Sequence, residues 1–247
     1  MEIRPRTPID DELVRRLAPL SGDVVVDLGC GPGRTLERAA EAAPGARLVG
    51  LDWDAGELQA AGQVLAGAPA AWLLVRADLA GPLPLATASA SRIVCHNVLG
   101  DVPDPAALLE EASRVLRPGG TSVWSYTDFE SVAISGGDDA LTRRIVQTYA
   151  DTPGIDPCCD GRMGRRLPAL VASCPLRRTA VGTSVVLSTS LAGLALVRIR
   201  TMVATLRDAG AVAPDDLAAW RASLEAADQD GRFLYAHTTY VVEAERP

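Results

Sequence analysis

The stretch that most limits what this chain can fold into is Val24-Val25-Val26-Asp27-Leu28-Gly29-Cys30-Gly31-Pro32-Gly33. Three β-branched residues in succession read as a strand buried on both faces, the habit of a parallel sheet. Alternating glycines follow, and beyond them Leu36, Ala39, Ala40 and Ala43 recur at helical spacing until Pro44-Gly45 ends the run. Strand, glycine turn and helix N-terminus together present bare backbone, which a ligand approaches without meeting a Cβ.

Spacing separates the families that use such a turn. A dinucleotide fingerprint needs G-x-G-x-x-G, and a phosphate loop needs Gly-Lys-Ser/Thr. Here Gly29, Gly31 and Gly33 alternate, Arg34 follows them, and the chain contains no lysine. A carboxylate at the strand tip, Asp27, repels a pyrophosphate and suits a ligand that carries an ammonium group. Residues 27–33 closely resemble the first motif of class I S-adenosylmethionine (SAM)-dependent methyltransferases. The resemblance implies that Asp27, Gly29, Cys30, Gly31 and Gly33 bind SAM, released as S-adenosylhomocysteine (SAH).

The next segments keep the alternation of strand and helix. Residues 8–20 read as a leading helix, with Arg4 and Arg6 before it as solvated arginines or as partners of a cofactor carboxylate. Residues 47–52 read as the second strand, and Asp52 stands nineteen positions beyond Gly33, where an acid accepts from ribose hydroxyls. Trp53 is placed to pack on adenine, while Asp54 with Glu57 reads as a helix cap. Residues 71–76 form the third strand; by the resemblance, Asp78 and the backbone of Leu79 meet the adenine edge. After a Gly/Pro/Ser loop at 80–90, residues 91–97 form the fourth strand, with Arg92 where the family usually has an acid, and Asn97 at its tip joins the cofactor set. Asp104-Pro105 caps a helix that 117–120 (Arg-Pro-Gly-Gly) should end. Residues 121–126 form the fifth strand, and 93–126 resemble the ubiquinone/menaquinone-type small-molecule enzymes.

This order predicts an α/β fold: a doubly wound, mostly parallel, seven-stranded Rossmann-like sheet with ligands at the strand C-termini. The expected organisation is one methyltransferase domain over 1–247. Residues 1–22 carry the leading helix, 23–126 the cofactor half, and 127–160 and 188–230 helical lid insertions. Helices are expected at 138–150, 162–172, 190–210 and 214–228 (capped by Asp215 or Asp216), with strands at 178–187 and 233–243. Arg143-Arg144 and residues 164–168 also resemble an actinobacterial subgroup.

With 24 arginines against 31 acids the net charge is −7, which argues against nucleic acid as the partner. The N-terminal residues lack the apolar core of a signal peptide, and the apolar run at 185–197 is too short to span a bilayer, so a cytoplasmic protein is expected. Five cysteines, an odd number, fit a reducing compartment. Cys158-Cys159 with Cys174 lack Cys-x-x-Cys spacing, so no metal is expected. The partner is then a small-molecule substrate; the oligomeric state is open, a homodimer among the options.

Methyl transfer is an in-line displacement that asks the protein mainly to position a nucleophile and sometimes to remove a proton. His96 at a strand tip is the first base candidate. Tyr126 and His237 follow, with Asp128 behind them; His237 also reads as a core residue alternating with Phe233, Tyr235 and Thr239. Three activities stay open: methylation of O, N or C in a small molecule, expected in secondary metabolism; a non-methylating cyclisation or rearrangement with SAM bound; and a non-catalytic SAM-binding scaffold.

Overall fold

A computed structural model of the protein describes residues 6–152 and 160–247. The elements run α1 (Pro8–Leu17), β1 (Val24–Leu28), α2 (Arg34–Ala42), β2 (Arg47–Asp52), α3 (Ala55–Leu65), β3 (Ala71–Arg76), β4 (Ala90–His96), α4 (Pro105–Val115) and β5 (Leu116–Ser135). They continue with α5 (Asp139–Asp151), α6 (Met163–Ala172), β6 (Arg177–Ser188), α7 (Gly193–Asp208), α8 (Pro214–Gln229) and β7 (Leu234–Glu245). The seven strands lie in the order β3-β2-β1-β4-β5-β7-β6. β1 is parallel to β2 and β4, β2 to β3, and β4 to β5. β7 is antiparallel to β5: Gly119 N–H donates to Arg246 O (2.8 Å), and Arg246 N–H donates to Gly120 O (3.0 Å). The expected doubly wound sheet is therefore present.

The chain clusters into two compact units, one of residues up to 126 with 166–184 and 240–247, the other of 127–165 with 185–239. In the first, Leu13, Val14 and Leu17 of α1 and Leu36, Ala39 and Ala40 of α2 pack with Val25, Leu48, Val94 and Val123 of the strands. Small side chains let helix and sheet approach closely. A Cβ at Gly50 in β2 would stand 2.8 Å from each of Cys30, Leu36 and Leu74, so only glycine fits there. Asp10, buried in α1, accepts from Thr7 of its capping box and from Thr35 Oγ1 (3.2 Å), which fixes α1 on α2. Between β3 and β4 the chain is a loop where a crossover helix is usual. That leaves a groove of about 460 Å³ lined by Val24, Val49, Trp72, Leu73 and Leu85.

The second unit has its own core: Ile145 of α5, Ile199 and Met202 of α7, and Trp220 and Leu224 of α8, with Val132 and Tyr235 from the strands. Trp220 Nε1–H donates to Thr142 Oγ1 at 3.0 Å, so the largest buried ring has its polar atom satisfied.

Several boundaries differ from those read in the sequence. α1 stops at Leu17, three residues early, because Ala18 turns left-handed (φ 46°) and closes the helix. The Arg117-Pro118-Gly119-Gly120 run does not separate helix from strand; it sits inside β5 as an irregularity, where the register moves from Ala90↔Leu116 to Arg92↔Thr121. β5 then continues to Ser135, nine residues into the stretch expected to be a helical insertion. α8 is capped at Ala213 without a side-chain bond, not by Asp215 or Asp216; both acids stand in its first turn, against the positive end of the helix. Asp138 does cap α5, accepting from Leu141 N–H at 2.7 Å.

Candidate functional site

Because β1 to β4 are parallel, their C-terminal ends come to one edge of the first unit. The chain leaves β1 for β2 on one side and later returns to β4 on the other, so the crevice beyond β1 is the topological switch point where ligands bind in such sheets. Asp27, Asp52, Asp78, His96 and Asn97 all stand at or just beyond these strand ends.

The glycine loop is held by the strand beside it. Gly29 N–H and Cys30 N–H both donate to Leu51 O, at 2.8 and 2.9 Å. Gly29, Gly31 and Gly33 have φ of 74°, 48° and 78°, a region that side-chain-bearing residues avoid. A Cβ on Gly29 would lie 2.2 Å from Val98 Cγ2, and one on Gly33 would lie 3.1 Å from Ala61 Cβ. A Cβ on Gly31 would meet nothing nearer than Glu57 at 4.0 Å, so the middle of the loop faces open space. The Cys30 side chain packs into the core instead, where burial and the charges of Asp27 and Asp52 push its thiol far up. Cys30 thus offers the loop its backbone and no nucleophile.

Asp52 is buried at the tip of β2 with both oxygens engaged: Oδ2 accepts from Gly31 N–H (2.8 Å) and Oδ1 from Asp54 N–H (3.0 Å). A carboxylate has about four lone-pair sites, so each oxygen retains capacity for a hydroxyl donor. Trp53 beside it is 70% exposed, and its carbonyl accepts from Arg76 Nε (2.9 Å). Asp54 caps α3 through Gly56 and Glu57 N–H, as its position suggested. Asp78 is exposed and accepts from Ala80 N–H (2.9 Å), whereas Leu79 is buried.

At the tip of β4 three side chains form a relay. Asn97 Nδ2 can only donate, and it lies 3.2 Å from His96 Nε2; His96 Nδ1 lies 2.8 Å from Ser125 Oγ, which lies 3.5 Å from Cys95 O. With Asn97 donating to Nε2, this arrangement fits the tautomer whose proton is on Nδ1 and directed at Ser125. Asn97 itself is left-handed (φ 55°), a conformation asparagine tolerates. Tyr126 is fully buried with its hydroxyl donating to Asp101 Oδ1 at 2.9 Å, below Gly100, where a Cβ would collide with the ring. It positions the β4–α4 turn.

The remaining candidates fall elsewhere. Arg6 is taken by Glu41 (2.8 Å) and Asp11 (2.7 Å), the solvated reading, and Arg4 lies outside the described residues. Arg92 finds its partner in Asp23 (3.4 Å) at the opposite end of the strands. Asp128 is in the second unit, buried and clasped by both Arg165 Nε and Nη2, so it is not available as a base. His237 is also there, 3.0 Å from Tyr235 Oη, and burial with the charge of Arg198 brings it down to about 4. Cys158 and Cys159 lie outside the described residues; Cys174 is half-buried with its thiol pushed up by desolvation. Among the described residues no cluster of His, Cys, Asp and Glu could hold a metal, and no helix is long and apolar enough to cross a membrane. Ser125 and Asp101, which orient His96 and Tyr126, were not singled out in the sequence; a serine in a strand and an acid in a turn carry no spacing signal.

A doubly wound sheet whose switch point carries an alternating-glycine loop and a buried acid at the neighbouring strand tip is the architecture of class I methyltransferases. Residues 26–124 match the methyltransferase domain family. The chain is 39% identical over 115 residues to the trans-aconitate 2-methyltransferase of Azoarcus sp., a match covering 47% of this chain and 43% of that protein. The chain spans about two-fifths of the length of the curated relatives it matches. In fold it is similar to the geranyl diphosphate C-methyltransferase of Streptomyces coelicolor, crystallised with Mg²⁺, geranyl diphosphate and SAH (TM-score 0.56, 18% identity, 97% of this chain and 80% of that one). It is equally similar to the 4+2 cyclase SpnF (TM-score 0.56, 14% identity, 97% and 80%).

Proposed function

We propose that the β1–β2 edge binds SAM and that the protein transfers its methyl group to a nucleophilic O, N or C of a small molecule. One observation carries the reading: the buried Asp52 carboxylate is locked by Gly31 N–H and Asp54 N–H directly beside a glycine loop whose centre is open. That pairing suits a ribose diol over a strand tip and supplies no cation for a pyrophosphate. Gly29, Gly31 and Gly33 bring backbone close to the ligand, Asp27 matches its ammonium group, the exposed Trp53 indole is free to stack on adenine, and Asp78 with Leu79 N–H meets the adenine edge. SAM supplies the electrophilic methyl group when bound. The chain's own work is then positional, with His96 the base wherever the acceptor has a proton to lose. Its Nδ1–H is anchored on Ser125, and its Nε2 lone pair accepts from Asn97, a bond that the acceptor's proton would have to displace.

The test is a labelled-methyl assay against a panel of small acids, phenols and amines. Transfer of label supports the reading. Substrate turnover with the label left on SAM assigns the non-methylating alternative, and binding of SAM with no turnover across the panel assigns the scaffold.

A further inference from the structure

Among the described residues of the second unit the arginines are largely neutralised in pairs. Arg162 is taken by Glu130 and Asp151, Arg165 by Asp128 and Glu130, Arg144 by Asp216, and Arg232 by Asp230. Arg143 and Arg200 are exposed. Arg198 differs. It lies on α7 between Val197 and Ile199, its guanidinium carbon stands 5.8 Å from the centroid of the Phe129 ring, and its Nε is buried with no hydrogen-bond partner. Phe129 is packed edge-on against Tyr149 (5.4 Å), and Tyr235 edge-on against His237 (5.5 Å). The charge of Arg198 also acts on Tyr235 and His237. Neither of these rings supplies a negative charge. Burial pushes Tyr235 up to about 12 and brings His237 down to about 4, so both are neutral at pH 7.

A buried N–H without an acceptor is uncommon and costly, and native proteins that keep one generally have a use for it. The Nε–H and the adjacent Nη–H form the side of the guanidinium that takes a carboxylate with two parallel hydrogen bonds. An aromatic ring against a single unpaired cation fits an apolar or aromatic body with one negative charge, and a diphosphate would call for several cations.

We infer that Arg198, beside the Phe129–Tyr149 ring pair, is a carboxylate-binding site for a small apolar or aromatic acid. This deepens the proposed methyl transfer by giving the acceptor its chemical class, and it rests on that proposal only for the catalytic consequence. The experiment is therefore a direct binding measurement. Benzoate, trans-cinnamate and hexanoate are titrated by calorimetry, each beside its methyl ester, with phenyl phosphate as the phosphoryl comparison. At least one acid is expected to bind, with its ester at least tenfold weaker, and Arg198→Gln is expected to weaken that acid at least tenfold while Arg198→Lys recovers part of the loss. The Arg198 Nε–H resonance of the unaltered protein is expected to shift on adding the acid, a readout that does not depend on any variant folding. Binding of none of the acids, equal binding of acid and ester, or indifference to Arg198→Gln in a folded variant overturns the inference; tighter binding of phenyl phosphate than of every acid reassigns the site to phosphoryl groups. SAH affinity is measured alongside. Loss of SAH binding with Arg198-dependent acid binding intact would sink the methyl-transfer reading and leave this site standing.

Discussion

The glycine loop and the Arg198 cluster are built by opposite means. At the loop, backbone does the work: three left-handed glycines and two N–H groups on Asp52 define the surface, and side chains are kept away. At Arg198, side chains do it: Phe129 of β5 lies against the guanidinium of α7 and Tyr149 of α5 packs on Phe129, and the backbone only delivers them. A backbone-built site tolerates little substitution and leaves a regular spacing. A side-chain-built site is assembled from residues far apart in the chain and leaves none.

The sharpest break of the comparison comes from the loop. Gly29→Ala is expected to cost about 3 kcal/mol or more, because a positive φ and a 2.2 Å collision with Val98 act together, as urea denaturation would register. Gly31→Ala, strained in φ but facing open space, is expected to cost about 1–2 kcal/mol. Equal costs at the two positions would show that the packing against Val98 does not matter.

The second unit should answer to pH instead. His237 has a folded value lowered to about 4 from 6.5, so it binds fewer protons when folded than when unfolded throughout that window. Stability is then full above pH 6.5 and falls as pH drops toward 4, by up to about 3 kcal/mol. His237→Gln is expected to flatten that part of the pH–stability curve; an unchanged slope would mean that the imidazole is not held neutral.

Catalysis gives the next effect. His96→Gln is expected to lower turnover roughly a hundredfold with SAH affinity nearly unchanged, measured by steady-state kinetics and calorimetry. Full activity would remove His96 from the mechanism. Asp52→Ala is expected to weaken SAH by about 1–3 kcal/mol through unmatched ribose hydroxyls, and the same affinity in the variant would sink that role.

The same contrast explains how far the sequence could be read. β2 and β3 were legible to the residue, since each is a short apolar run bounded by turn residues. Asp27, Asp52 and the glycines were legible because the loop's geometry demands them at set intervals. The length of β5 was not: Pro118-Gly119-Gly120 signals a turn locally, and pairing with Arg246, just past β7, holds those residues in the sheet. The state of Asp128 was equally hidden, as nothing near it in sequence announces Arg165. Arg198 did leave a trace, a charge set in the apolar run Leu194-Ala195-Leu196-Val197-Arg198-Ile199 of α7, but its aromatic neighbours belong to other elements.

Calorimetric titration of the purified protein with SAH, run beside NADH as the dinucleotide control, tests the central claim most directly. Saturable one-to-one binding of SAH with no heat from NADH is the predicted result. Binding of NADH with SAH ignored would contradict the assignment of the β1–β2 edge to a sulfonium nucleoside.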